Sequence, residues 1–93
     1  MSDESQQIEL LELDIESLLS FFIGITSTKA LQYLGISLNQ GEKPEKNLEK
    51  ARLSIDTTML LVDKLRPHVN DIEKAQLQQV ISNLQFTFLR ESN

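Results

Sequence analysis

No cysteine occurs among the 93 residues, so neither a disulfide nor a thiolate metal site is available to a chain short enough to profit from one. The single histidine, His68, cannot anchor a transition-metal centre of ordinary type, and no residue pattern calls for a cofactor. Tryptophan is missing. The three glycines, Gly24, Gly35 and Gly41, are scattered and make no phosphate-cradling loop. Basic residues are absent from the first sixteen positions, which hold Asp3, Glu4, Glu9, Glu12, Asp14 and Glu16, and the remaining eight acids face nine Lys and Arg. Neither part offers the basic stripe that displaces counterions from phosphates, so no nucleic-acid partner is expected. The longest apolar run, Leu18 to Ile25, is interrupted by Ser20 and Gly24 and falls well short of the roughly 20 residues that span a bilayer. Met1 to Gln7 are polar and acidic where a signal peptide would be basic and then apolar. Together with the missing cysteines this points to a reducing cytoplasm.

What is present is helical periodicity. Three apolar segments are separated by two stretches of turn residues, with no sustained alternation of the strand kind, which gives an all-α fold class. The expected architecture is a three-helix antiparallel hairpin or bundle with short loops, the helices covering about 15–34, 45–66 and 71–90 of a single domain at 14–93. Asp14 suits the first N-cap and Gly35 the left-handed residue that closes the helix. Pro44 suits the first turn of the second helix, and Leu48, Ala51, Ile55, Thr58, Val62 and Leu65 then step at heptad spacing, with Met59 and Leu61 widening the stripe. Pro67 stops that helix, Asn70 and Glu73 form a capping box, and Ile72, Leu77, Val80, Ile81, Leu84 and Phe88 make the third stripe. Residues 1–13 read as an acidic arm, mobile or dependent on a partner. The alternative is a backward extension of the first helix, since Ile8, Leu11, Ile15 and Leu18 keep helical spacing.

Some apolar residues do not fit one face. Leu18, Leu19, Phe21, Phe22, Ile23 and Ile25 surround the first helix, and Phe86 and Leu89 lie off the third stripe. A domain of this size is marginal alone, and monomers rarely expose large apolar patches. The expectation is therefore a homo-oligomer, a two-fold dimer first, with Leu19, Phe21, Ile25, Phe86 and Leu89 at the interface. The alternative is that the first helix is packed on two sides by its own chain. Gly24 costs about 1 kcal/mol against alanine inside a helix, a cost explained by close approach of a neighbouring helix.

Catalytic groups are sparse. Asp56 and Asp63 lie one heptad apart, yet Arg52 offers Asp56 a routine ion pair and nothing around them forms a substrate pocket, so no catalytic residue and no enzyme activity is expected. The function expected is that of a non-catalytic interaction module. The alternatives are a peripheral membrane protein using Phe21, Phe22 and Ile23, or an accessory subunit of a larger enzyme complex with an unknown protein partner.

Phe21 to Gly35, reading FFIGITSTKALQYLG, followed by Ala51-Arg52-Leu53-Ser54-Ile55-Asp56 with Leu60 and Lys64, then Glu73, Leu77 and Leu84 to Arg90, resembles a bacterial family of small uncharacterised helical proteins, DUF1844. The resemblance spans roughly residues 18–90. It implies a helical fold and a bacterial origin and brings no catalytic residues. Where that family tends to show a Lys-Thr…Gly-Asn-Leu junction, this chain has Lys64-Leu65-Arg66-Pro67-His68-Val69-Asn70.

Overall fold

In the computed structural model of the protein, residues 9–37 and 43–93 are described. The stretch through Ile8, and Asn39 and Gly41 of the linker, lie outside the described residues. Those described are helical or in turns, with no strand among them. Three long helices, α1 (Ile15–Tyr33), α2 (Leu48–Leu65) and α3 (Asp71–Glu91), are accompanied by a 3-10 turn at Arg66–His68 between the last two.

Local chemistry sets each boundary. Asp14, in extended backbone, accepts from Ser17 N–H at 2.8 Å and starts α1. Residues 9–11 form a helical turn of their own, followed by the bonds Glu12 N–H to Glu9 carbonyl and Leu13 N–H to Leu10 carbonyl. The described end of the acidic arm is thus a separate turn and does not continue α1, because the Asp14 backbone breaks the helix. At the other end Gly35 takes φ +85°, and the bonds Ile36 N–H to Leu31 carbonyl and Gly35 N–H to Gln32 carbonyl, both 3.0 Å, complete a Schellman motif. An alanine at Gly35 would have to adopt that left-handed backbone. Gly35→Ala is expected to destabilise the protein by about 1–2 kcal/mol in urea unfolding.

The second helix begins three residues later than the proline suggests. Asn47 is extended, accepts from Lys50 N–H at 3.1 Å, and donates its own N–H to the Tyr33 carbonyl at 2.7 Å, so the bridge to α1 holds residues 44–47 out of the helix. Pro67 sits in the 3-10 turn and ends α2. Asn70 then accepts from Glu73 N–H at 2.8 Å, and only this half of the capping box is made.

Packing follows the heptad stripe of α2: Ala51, Ile55, Thr58, Val62 and Leu65 are all buried. Val62 and Leu65 cluster with Ile23 of α1 and with Leu77 and Ile81 of α3. Ala51 and Ile55 cluster with Ala30 and Leu34 of α1 and with Leu84 of α3. Early α1 thus meets late α2, and late α1 meets early α2, so the two run antiparallel, with α3 laid along both. Small residues allow the close approach. Ala30 and Ala51 are fully buried, and beside them Thr58 Oγ1 lies 2.7 Å from Thr26 Oγ1 and 2.8 Å from the Ser54 carbonyl oxygen. Ile72, placed by the sequence on the third stripe, is 72 % exposed. It sits in the first turn of α3, ahead of Leu77, where that stripe enters the core.

Lys46 ties the ends together. Its stem passes 3.5 Å from where a Gly35 side chain would stand, and its ammonium donates to the Glu91 carbonyl at 3.0 Å and pairs with Glu91 Oε1 at 3.2 Å. The ammonium's bond to the carboxylate, with a smaller one from Arg90, holds the Glu91 carboxyl below the usual carboxylate range, as the Ser17 backbone N–H does for Asp14. Folded values lowered in this way add stability that is fully present above the ordinary carboxylate pKa of about 4 and is lost as the pH falls through the lowered values. Thermal midpoints should therefore fall on acidification below about pH 4, and Asp14→Asn with Glu91→Gln should flatten that decline.

Candidate interaction surface

The five residues proposed from sequence do not share one surface. At 100° per residue, Leu19 falls on the inward side of α1 with Ile23 and Ala30, and it packs, half-buried, on the first core cluster. Phe21 and Ile25 point the opposite way and remain 42 % and 46 % exposed. Phe22, also exposed, stands beside Phe21 with ring centroids 6.0 Å apart and planes tilted by 59°. Phe86 lies on the face of α3 opposite Leu77, Ile81 and Leu84. Leu89 borders a groove of about 340 Å³ between α2 and α3, where the Arg52 guanidinium sits 5.5 Å from the Phe88 ring centre. No α1 residue lines that groove.

Gly24 lies within the outer face of α1. A Cβ built there would meet nothing within 4 Å, so no neighbouring helix of the same chain needs the glycine. Its carbonyl accepts from Ser27 and Thr28 hydroxyls, each at 2.9 Å. Around it Ser20, Phe21, Ile25 and Thr28 line a shallow, mostly apolar depression open to solvent. The sequence signal that would have separated Leu19 from Phe21 was present in the small residues: Thr26 and Ala30 mark the side where a helix approaches, and Phe21 and Ile25 are on the other.

Other candidate chemistry is dispersed. Asp56 pairs with Arg52 at 3.5 Å and Asp63 with Arg66 at 3.1 Å, both on the exposed side of α2. His68 is exposed in the 3-10 turn. Among the described residues no group of three His, Cys, Asp or Glu side chains is placed to hold a metal, and no helix is long and apolar enough to cross a membrane.

Comparison with known families matches residues 16–90 to the model of a domain of unknown function, DUF1844. The chain belongs to the DUF1844 family. The DUF1844 match begins one residue into α1 and ends one residue before the end of α3, so the matched unit is the three helices with their connections, and all the acids before Glu16 lie outside it. No curated protein and no solved structure matches the chain.

Proposed function

We propose that this DUF1844 protein is a non-catalytic, cytoplasmic interaction module that associates with copies of itself, first as a two-fold dimer, through the outer face of α1. In this reading the hairpin and third helix form a three-helix bundle whose cover is completed by the second copy. One observation carries it: α1 is apolar on two opposite sides, and only one is used within the chain. Ile23, Ala30 and Leu34 face α2 and α3, while Phe21 and Ile25 face solvent beside a glycine with open space above it, and Phe22 stands exposed next to Phe21. Large apolar side chains arranged along one helix face are ordinarily covered by a partner.

Against a lipid surface this face is poorly suited. Interfacial helices carry several Lys or Arg on their polar side, whereas α1 has Lys29 alone and begins with acids. Sedimentation equilibrium over a micromolar range tests the proposal, and a monomer throughout would sink it. Gly24→Leu supplies a second criterion. A Cβ at Gly24 meets nothing in the single chain, so the substitution should not destabilise the monomer while it weakens association.

A further inference from the structure

The two ends of α1 carry opposite chemistry. Glu9 and Glu12 lead into it, exposed and without an ion-pair partner among the described residues, and Leu11, Leu13 and Ile15 beside them are exposed. Near the other end the ammonium groups of Lys29 and Lys50 lie 5.1 and 5.8 Å from the centre of the Tyr33 ring. Neither lysine enters an ion pair among the described residues, whereas Lys46, Arg52, Arg66, Lys74 and Arg90 each do. The two lysines rim a groove of about 330 Å³ that Tyr33, Leu53, Thr26 and Thr57 also line. A cationic rim over an apolar wall is the complement of an acidic turn studded with leucines.

The described acidic turn cannot reach its own groove. Residues 16 and 29 are separated by about 20 Å of rigid helix at 1.5 Å per residue. We propose that the groove receives the acidic N-terminal end of α1 from a second copy, the two α1 helices lying antiparallel across Phe22 and Ile25. This rests on the self-association reading and adds the partner's orientation and the residues that set it. In that alignment residues 14–16 of one helix come level with about 31–33 of the other, and the two-fold axis repeats the pairing. A parallel pair would set the acidic ends side by side, where like charges repel and the helix dipoles oppose the alignment. Size is adequate. At about 200 Å² for a fully exposed large apolar side chain, the exposed positions from Leu11 to Ile25, with Leu53, present roughly 700 Å², near the ~800 Å² per partner of an ordinary stable interface.

The test uses two charge-reversed chains, Lys29→Glu/Lys50→Glu and Glu9→Lys/Glu12→Lys, with Asp14 kept as the cap. Each alone should associate at least tenfold more weakly than the natural chain in sedimentation, and mixing the two should restore pairing in a salt-sensitive way. If both reversed chains associate as the natural one does, the groove is not where copies meet, although the self-association reading survives. A natural chain that stays monomeric overturns both. Since the protein has no cysteine, Glu12→Cys on one chain and Lys50→Cys on another should form an intermolecular disulfide. If a doubly substituted chain instead cross-links within itself at monomeric dilution, the groove belongs to the chain's own N-terminal segment and the proposal falls.

Discussion

Leu34→Ala should destabilise the protein by about 3 kcal/mol, a large share of the roughly 5–14 kcal/mol that a domain of this size has. Leu34 is fully buried at the point where all three helices meet, among Ala30 of α1, Ala51 and Ile55 of α2 and Leu84 of α3. It is also the C-cap of α1, held by the hinge of Gly35 and Ile36, so the surrounding backbone is not free to collapse into the space left behind. Cavity cost is greatest where relaxation is least. Urea unfolding at matched m-value measures the effect, and Leu60→Ala on the exposed side of α2 serves as the control, with an expected change below about 0.5 kcal/mol. A cost under 1 kcal/mol for Leu34→Ala would show that the three helices do not close on this residue.

Ile25→Asp should weaken self-association by a hundredfold or more while leaving the unfolding midpoint of the dissociated chain nearly unchanged. The two effects separate because Ile25 is half-exposed and belongs to neither core cluster of its own chain, so the aspartate costs little until a second copy covers it. In a two-fold dimer each substitution is present twice at the interface, and a hundredfold loss corresponds to about 2.7 kcal/mol, near 1.4 kcal/mol per buried carboxylate. A concentration series by sedimentation decides the matter. Equal association of the natural chain and Ile25→Asp would remove this face from the interface.

Residue spacing revealed the interior of α2 and only half of α1. Along α2 the heptad of Ala51, Ile55, Thr58, Val62 and Leu65 is the buried face, because these residues form one continuous stripe while the apolar Leu53 and Leu60 outside it are isolated among charged and hydroxyl residues. In α1 both sides are apolar, so periodicity cannot distinguish Leu19, which packs inward, from Phe21 and Ile25, which do not. The cap residues Asp14, Gly35 and Asn70 each act as local chemistry requires. The start of α2 was displaced by a tertiary bond, Asn47 to Tyr33, that no local pattern announces. Ile72 kept the right spacing but lies too early in α3 to meet the other helices. The Lys29–Tyr33–Lys50 groove joins residues of two helices across the linker and appears only once the hairpin is closed.

Thr58 is the one polar side chain buried in the core among the described residues, and its hydroxyl faces that of Thr26. Leucine, isoleucine and alanine are tolerant of sliding: moving α1 along α2 by one turn, about 5.4 Å, would still set hydrocarbon against hydrocarbon. The two hydroxyls are not tolerant. Such a slip would part them and turn each toward apolar neighbours, at about 1 kcal/mol for the bond lost, a factor of roughly five between alignments that are otherwise alike. The pair thus acts as a registration mark for the hairpin, discriminating among competing alignments even where its net contribution against the unfolded chain is small.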